Sequence, residues 1–221
     1  MSQDIKTNFQ PLYRIAQYSV LLMLILIPIQ IIVFVVSPPP QTVIGFFTLY
    51  QENPFLGLLS LDFLYLISNM INVILYVSLF VLLYKERPVS VILALTFGLI
   101  GLACYYPSNP SFEMLTLSNL YALDPQSSYL AAGEALMAGY TGTTFNTYYV
   151  LSTICLIIFS YTLIKSPSFK KKIGVWGLIS GVFMIVPSSA GLLGMIFSLL
   201  SLLPWMVFIS LLGIEFKKLS S

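Results

Sequence analysis

Apolar residues run unbroken for about twenty positions at several places along this chain, and most polar residues are gathered between those runs. A helix needs about 20 such residues to cross a hydrocarbon core of about 30 Å. The pattern predicts six spans, near residues 15–36, 61–84, 88–106, 144–164, 173–187 and 190–213. The runs are continuous rather than alternating, which excludes a transmembrane β-barrel. The expected fold class is all-α: a polytopic membrane helical bundle of six transmembrane helices in one domain covering residues 1–221. Pro28 predicts a kink in the first span. Pro88 suits the first turn of the third, and a turn at "VPSSAG" joins the last two. The first span is too long for a signal peptide, and "VVSPPPQ" offers no small-residue cleavage site.

One span breaks the pattern. The stretch "DFLYLISNMINVILY" carries Asp62, Tyr65, Asn69, Asn72 and Tyr76. At 100° per residue these fall within an arc of roughly 80°. Such a stripe does not suit lipid, so it predicts a face turned into the bundle. Asn146, Tyr149, Thr153 and Ser160 share one side of the fourth span. The last two spans carry small-residue seams, Gly174/Gly177/Gly181 and Gly191/Gly194/Ser198/Ser201, fit for close helix packing. Two readings of the stripes stay open. They are interhelical hydrogen-bond glue, or they line a polar cavity with Asp62 at its mouth.

The loops on one side are long and patterned, predicting short amphipathic helices that form an outer cap near 42–53 and 111–140. Three prolines in "SPPPQ" favour a stiff extended lead. Val43, Phe46, Phe47 and Tyr50 then follow at helical spacing, an apolar face suited to the membrane interface. "NP" and Gly57 punctuate the chain before the second span. Residues 107–143 predict two short helices, one from about Ser111 to Leu123. The second opens with Asp124 as N-cap and Pro125 at the first position, and runs to about Tyr140. Glu134 is the sole charge in the Ala/Gly-rich "YLAAGEALMAGY". It is either a solvated charge or a second carboxylate beside Asp62, and the pair would hold a cation or share a proton.

Composition sharpens this picture. The chain is 58% hydrophobic and 8% charged, where soluble domains carry about 25% charge. Its ten Lys and Arg residues all fall on one predicted side: Lys6, Arg14, Lys85, Arg87, Lys165, Lys170, Lys171, Lys172, Lys217 and Lys218. Glu52, Asp62, Glu113, Asp124 and Glu134 fall on the other. The positive-inside rule therefore places both termini in the cytoplasm. The "SPSFKKK" loop is that topology signal, or a contact for anionic head groups. The two cysteines, Cys104 and Cys155, sit at different predicted depths and form no CxxC, so neither disulfide nor metal work is expected. Histidine is absent, which removes the usual general base and commonest metal ligand. No cofactor is expected. The expected partner is the lipid bilayer, with a small molecule or lipid on the outer side and no nucleic acid.

Several separated motifs resemble a known group. "SPPPQTVIGFFTLYQENPFLGLLSLDFLY", "YPSNPSFEMLTLSNLYA", "LAAGEALMAGYTGTTFNTYYVL" and "LIKSPSF" are similar to a DUF4386-like family of bacterial multi-pass membrane proteins, classed under a domain of unknown function. The likeness runs from about residue 9 to 205. It implies a bacterial plasma-membrane location and carries over no catalytic residue.

Three functions follow from the residues. The favoured one is binding, sensing or transport of a small molecule or lipid through an outward-facing polar cavity, with Asp62, Tyr65, Asn69, Asn72, Asn146 and Glu134 as ligand-binding candidates. An accessory or scaffold subunit, acting by helix packing with a partner, is the alternative. A membrane enzyme acting on lipid through Asp62 and Glu134 is the third. No HExxH, GxSxG or Cys–His pair supports that one.

Overall fold

Helix formation follows the apolar runs closely. The structure is a computed structural model that describes residues 9–221; Lys6 lies outside the described residues. No strand occurs among the described residues. The helices are α1 (Gln10–Val36), α2 (Val43–Glu52), α3 (Pro54–Ser60), α4 (Phe63–Leu83), α5 (Pro88–Tyr105), α6 (Ser111–Leu123), α7 (Ser127–Tyr140), α8 (Thr143–Lys165), α9 (Lys171–Phe183) and α10 (Gly191–Ser220). Five segments are long and apolar enough to cross a membrane: Gln10–Val36, Phe63–Leu83, Pro88–Leu123, Ser127–Lys165 and Gly191–Ser220.

Six helices close a ring. α1 packs on α4, α4 on α5, α5 on α8, α8 on α9, α9 on α10, and α10 back on α1. The glycine seam of α9 explains its approach to α8. A Cβ at Gly174 would come within 2.3 Å of the Ser160 carbonyl oxygen, and one at Gly177 within 2.3 Å of Ser160 Oγ. The second seam divides its work. Gly194 sits against the Pro187 carbonyl, Ser201 accepts from Ser180 Oγ through its carbonyl at 3.0 Å, and Gly191 takes a φ of 64° that opens α10.

The fifth predicted span, 173–187, is helical only as far as Phe183. α9 has 13 residues, a length of about 20 Å, and stops short of a full crossing. The chain then runs irregularly through 184–190. Thr153, midway along α8, donates its hydroxyl to the Met184 carbonyl at 3.1 Å. Ser189 donates to Asn146 near the start of α8 at 2.5 Å. α9 therefore ends level with the middle of α8, and a segment of turns and bends carries the chain on to the start of α10. Pro187 helps, since a residue preceding proline is pushed out of the helical region. Irregular backbone at that depth is tolerated where protein buries it or where it lines a cavity. The second condition holds here, since Met184 and Ser188 line a cavity.

The cap is built from α2, α3, α6 and α7, with its own core of Val43, Phe46, Phe47, Tyr50, Leu61 and Met114. The apolar face of α2 is thus buried against α6 and α7 rather than laid in the membrane interface. α6 starts and ends where the sequence predicted. α7 starts later than expected, with Gln126 rather than Asp124 at the N-cap; the Asp124 carboxylate accepts from the Gln126 side chain instead. Asn53 caps α3, which the punctuation signals concealed, by accepting from the Leu56 N–H at 3.0 Å.

Candidate functional site

The site begins where α3 gives way to α4. Asp62 occupies the left-handed region, φ 62° and ψ 29°, the only non-glycine residue among those described with a positive φ. Such a conformation persists where its surroundings over-determine it. They do so here through the "YYPSNPS" loop. Asn109 Nδ2 donates to the Leu61 carbonyl at 2.7 Å and Ser111 Oγ to the same oxygen at 2.8 Å. Leu61 is itself buried in the cap core. The junction is clamped from both sides, and Asp62 is held half-buried where the cap meets the bundle. The Tyr140 hydroxyl, at the last residue of α7, donates to its carboxylate.

Below Asp62 a polar chain crosses from α4 to α8. The hydroxyls of Tyr65 and Tyr148 lie 2.8 Å apart. Tyr148 also donates to Asn69 Oδ1 at 3.3 Å, and Asn72 Nδ2 reaches the same oxygen at 3.4 Å. Rings of Tyr65, Tyr105, Tyr148, Phe145 and Tyr149 follow one another in edge-on or tilted contact, with centroids 4.8 to 6.1 Å apart. α4 and α8 thereby present one aromatic wall inside the helical ring.

That wall bounds a cavity in two connected parts. The deeper part, about 60 Å³, lies at mid-depth among Asn72, Tyr76, Ser152, Ser180, Met184 and Ser201. The wider part, about 230 Å³, reaches the capped end between Gln30, Phe34, Asp62, Phe145 and Ser188. Both include Tyr65, Tyr148, Tyr149 and Ser198. The deeper part has room for a few waters, the wider for a molecule of several heavy atoms.

Four cavity residues carry polar atoms without a protein partner: Asn72 Oδ1, Gln30 Oε1, Tyr149 Oη and Ser152 Oγ. The last two face the hydroxyls of Ser198 and Tyr76 without a well-formed hydrogen bond, so the amide oxygens of Asn72 and Gln30 are the clearest cases. All four residues are nine-tenths buried or more. Gln30 is half used, donating Nε2 to the Leu59 carbonyl at 2.9 Å. Leaving a buried acceptor unpaired costs about 1–3 kcal/mol, so four in one lining are a sizeable concession by the fold.

The predicted residues divide clearly. Asp62, Tyr65 and Asn72 line the cavity. Asn69 lies behind the lining, tied to Tyr148. Asn146 is occupied elsewhere: its amide donates to the Thr141 and Gly142 carbonyls and its oxygen accepts from Ser189. Glu134 is exposed on α7, and Asp62 meets Tyr140 rather than Glu134. Thr153 serves the α8–α9 contact. Gln30, Tyr148, Ser152, Ser180 and Tyr140 were not singled out from sequence. Gln30 had a signal, being a lone amide in the apolar run of α1. The serines had none, because serine in a membrane helix usually satisfies itself on the preceding turn. The described residues hold no cluster of His, Cys, Asp and Glu that would bind a metal ion. In the cap, outside the spans, burial first and Glu113 second push the Tyr50 phenol above its ordinary range.

The family described as a domain of unknown function, DUF4386, matches residues 18–214. The chain belongs to that family. Its cavity, clamp and half-length α9 all fall within the matched DUF4386 segment. No curated protein and no solved structure matches this DUF4386 chain.

Proposed function

We propose that this membrane protein binds a small molecule or lipid in a polar cavity open to the outside, as a receptor, sensor or transporter. The observation that carries the reading is the set of buried, unpartnered polar atoms lining one cavity. A protein interior selected only for stability pairs such groups. Charge distribution supports the outward orientation. Asp62 and the cap lie at the end opposite Lys85, Arg87, Lys165 and Lys217, and basic loops stay cytoplasmic. Both termini are then cytoplasmic, in the plasma membrane of a bacterium.

The two other readings draw less support. An accessory subunit would use the glycine seams to dock a partner, but Gly174, Gly177 and Gly181 meet α8 of the same chain. A lipid enzyme would need Asp62 and Glu134 together, whereas Glu134 is exposed.

The test is native mass spectrometry of protein extracted gently from its membrane, wild type beside Ser198→Trp, which fills the cavity where its two parts join. A small molecule or lipid retained by wild type and lost from the variant supports the proposal. The same adducts on both proteins, or none on either, would count against it.

A further inference from the structure

Which chemistry the cavity selects follows from its charges, and the inference rests on the cavity reading above. Asp62 is a carboxylate in a protein pocket with no lysine or arginine at ion-pair distance. The ion pair Lys218–Glu215 lies at the far end of the bundle. Among the described residues, the hydrogen bond to the Asp62 carboxylate comes from Tyr140, a neutral donor, and no lysine or arginine pairs with it. A half-buried carboxylate without a counter-charge is costly. Its backbone is clamped in the left-handed region, so the side chain is held in place rather than free to turn into solvent.

The floor of the cavity carries the same sign. α9 is a half-length helix whose C-terminal end stops at mid-depth, and Ser180 and Met184 from that end line the cavity. A helix C-terminus bears about half a negative charge, and no basic residue stands in its last turn to neutralise it. Between mouth and floor stand Tyr65, Phe145, Tyr148 and Tyr149, rings whose faces attract cations, most strongly when the site is desolvated. The rest of the wall is largely apolar, with Ile27, Ile31, Phe34, Leu199 and Leu202, interrupted by the neutral Gln30, Ser188 and Ser198. A bare divalent ion is held through several carboxylate and carbonyl oxygens, whereas Asp62 is the one acidic residue in this lining and belongs to no cluster of metal-ligating residues among those described.

From this we infer that the cavity takes an organic monocation, an ammonium group carrying an apolar or aromatic body. Its charge sits between Asp62 and the aromatic wall, and its apolar part lies along α1 and α10.

The experiment is calorimetry on the full chain in nanodiscs of neutral lipid, with three soluble probes of similar size: 2-phenylethylammonium, 2-phenylethanol and phenylacetate. Each is titrated into wild type, Asp62→Asn and Ser198→Trp. Asparagine tolerates the left-handed conformation, so Asp62→Asn keeps the clamp. The ammonium should bind wild type at least tenfold more tightly than the alcohol. Asp62→Asn should bring it down to the alcohol's level while leaving the alcohol unchanged, and Ser198→Trp should abolish both. An ammonium no tighter than the alcohol, or an affinity indifferent to Asp62→Asn, overturns the inference. If the alcohol or phenylacetate binds and is lost in Ser198→Trp while the ammonium does not bind, the class is wrong and the cavity stands. Absence of binding by all three overturns both.

Discussion

The cap and the cavity are both polar-rich, and they treat their polar groups in opposite ways. In the cap, Tyr50 donates to the Ser111 carbonyl at 2.8 Å and Ser118 to the Phe47 carbonyl at 2.9 Å. Gln51 donates to Ser118 and Asn119, and Asn109 and Ser111 share the Leu61 carbonyl. No buried side-chain atom without a partner falls in α2, α3, α6 or α7. The cavity, a few residues deeper, leaves Asn72, Gln30, Tyr149 and Ser152 unpaired. Other cases occur in the bundle, at Tyr13, Asn69 Nδ2, Glu86, Tyr105 and Ser160, but the cavity lining gathers four around one space. Where polarity holds structure together, it is paired. Where it is gathered and unpaired, the proposed cavity gives it a role that helix packing does not.

The comparison is sharpened first in the cap, where the largest loss is expected. Phe47 is buried in the cap core, its ring tilted against Tyr121 at 5.4 Å. Phe47→Ala should cost about 3 kcal/mol. Limited proteolysis and thermal unfolding in detergent should show the cap loosening before the ring. Next comes the clamp. Asn109→Leu removes one of two donors from the buried Leu61 carbonyl and should cost about 2 kcal/mol. It should also weaken 2-phenylethylammonium binding, because Asp62 is then less firmly placed. A stable Asn109→Leu protein that binds the probe normally would break the link between cap and cavity.

A smaller effect separates the two asparagines of α4. Asn69 accepts from Tyr148 across the α4–α8 contact, and interhelical bonds of this kind are worth about 0.6 kcal/mol on average. Asn69→Leu should therefore lower stability by about that amount. A loss well above 2 kcal/mol, seen in thermal unfolding, would recast the whole stripe as structural.

The sequence carried the architecture well and the site in part. Apolar run length located the helices crossing the bundle, and α6 was legible to the residue, because both signals are local. The end of α9 was not. The run "GVFMIVPSSA" remains apolar past Phe183, so hydropathy sees no break. Pro187, with Thr153 and Asn146 holding the chain beyond the helix, makes one. For α2, periodicity revealed an apolar face without revealing what covers it, and α6 and α7 cover it. The α4 stripe announced a buried polar face. It could not say that Asn69 is tied to Tyr148 while Asn72 faces a cavity, because that depends on which α8 side chains stand opposite. Asn146 looked like a member of the same face, yet its place in the first turn of α8 commits it to Thr141, Gly142 and Ser189. Glu134 and Asp62 were both legible as lone charges; their separation depends on how α7 is turned, and only Tyr140 faces inward to Asp62.

The central claim is that the cavity's polar groups are kept for something other than stability, and Asn72 tests it most directly. Its amide makes one long contact, 3.4 Å to Asn69, and its oxygen has no protein partner. The decisive measurement is the thermal unfolding midpoint of purified Asn72→Leu beside wild type, in the same detergent and without added ligand. The account predicts a midpoint equal to wild type or higher, since leucine replaces a buried unpaired acceptor with apolar surface. A drop equivalent to more than about 1 kcal/mol would contradict it, and would mean that Asn72, too, is glue.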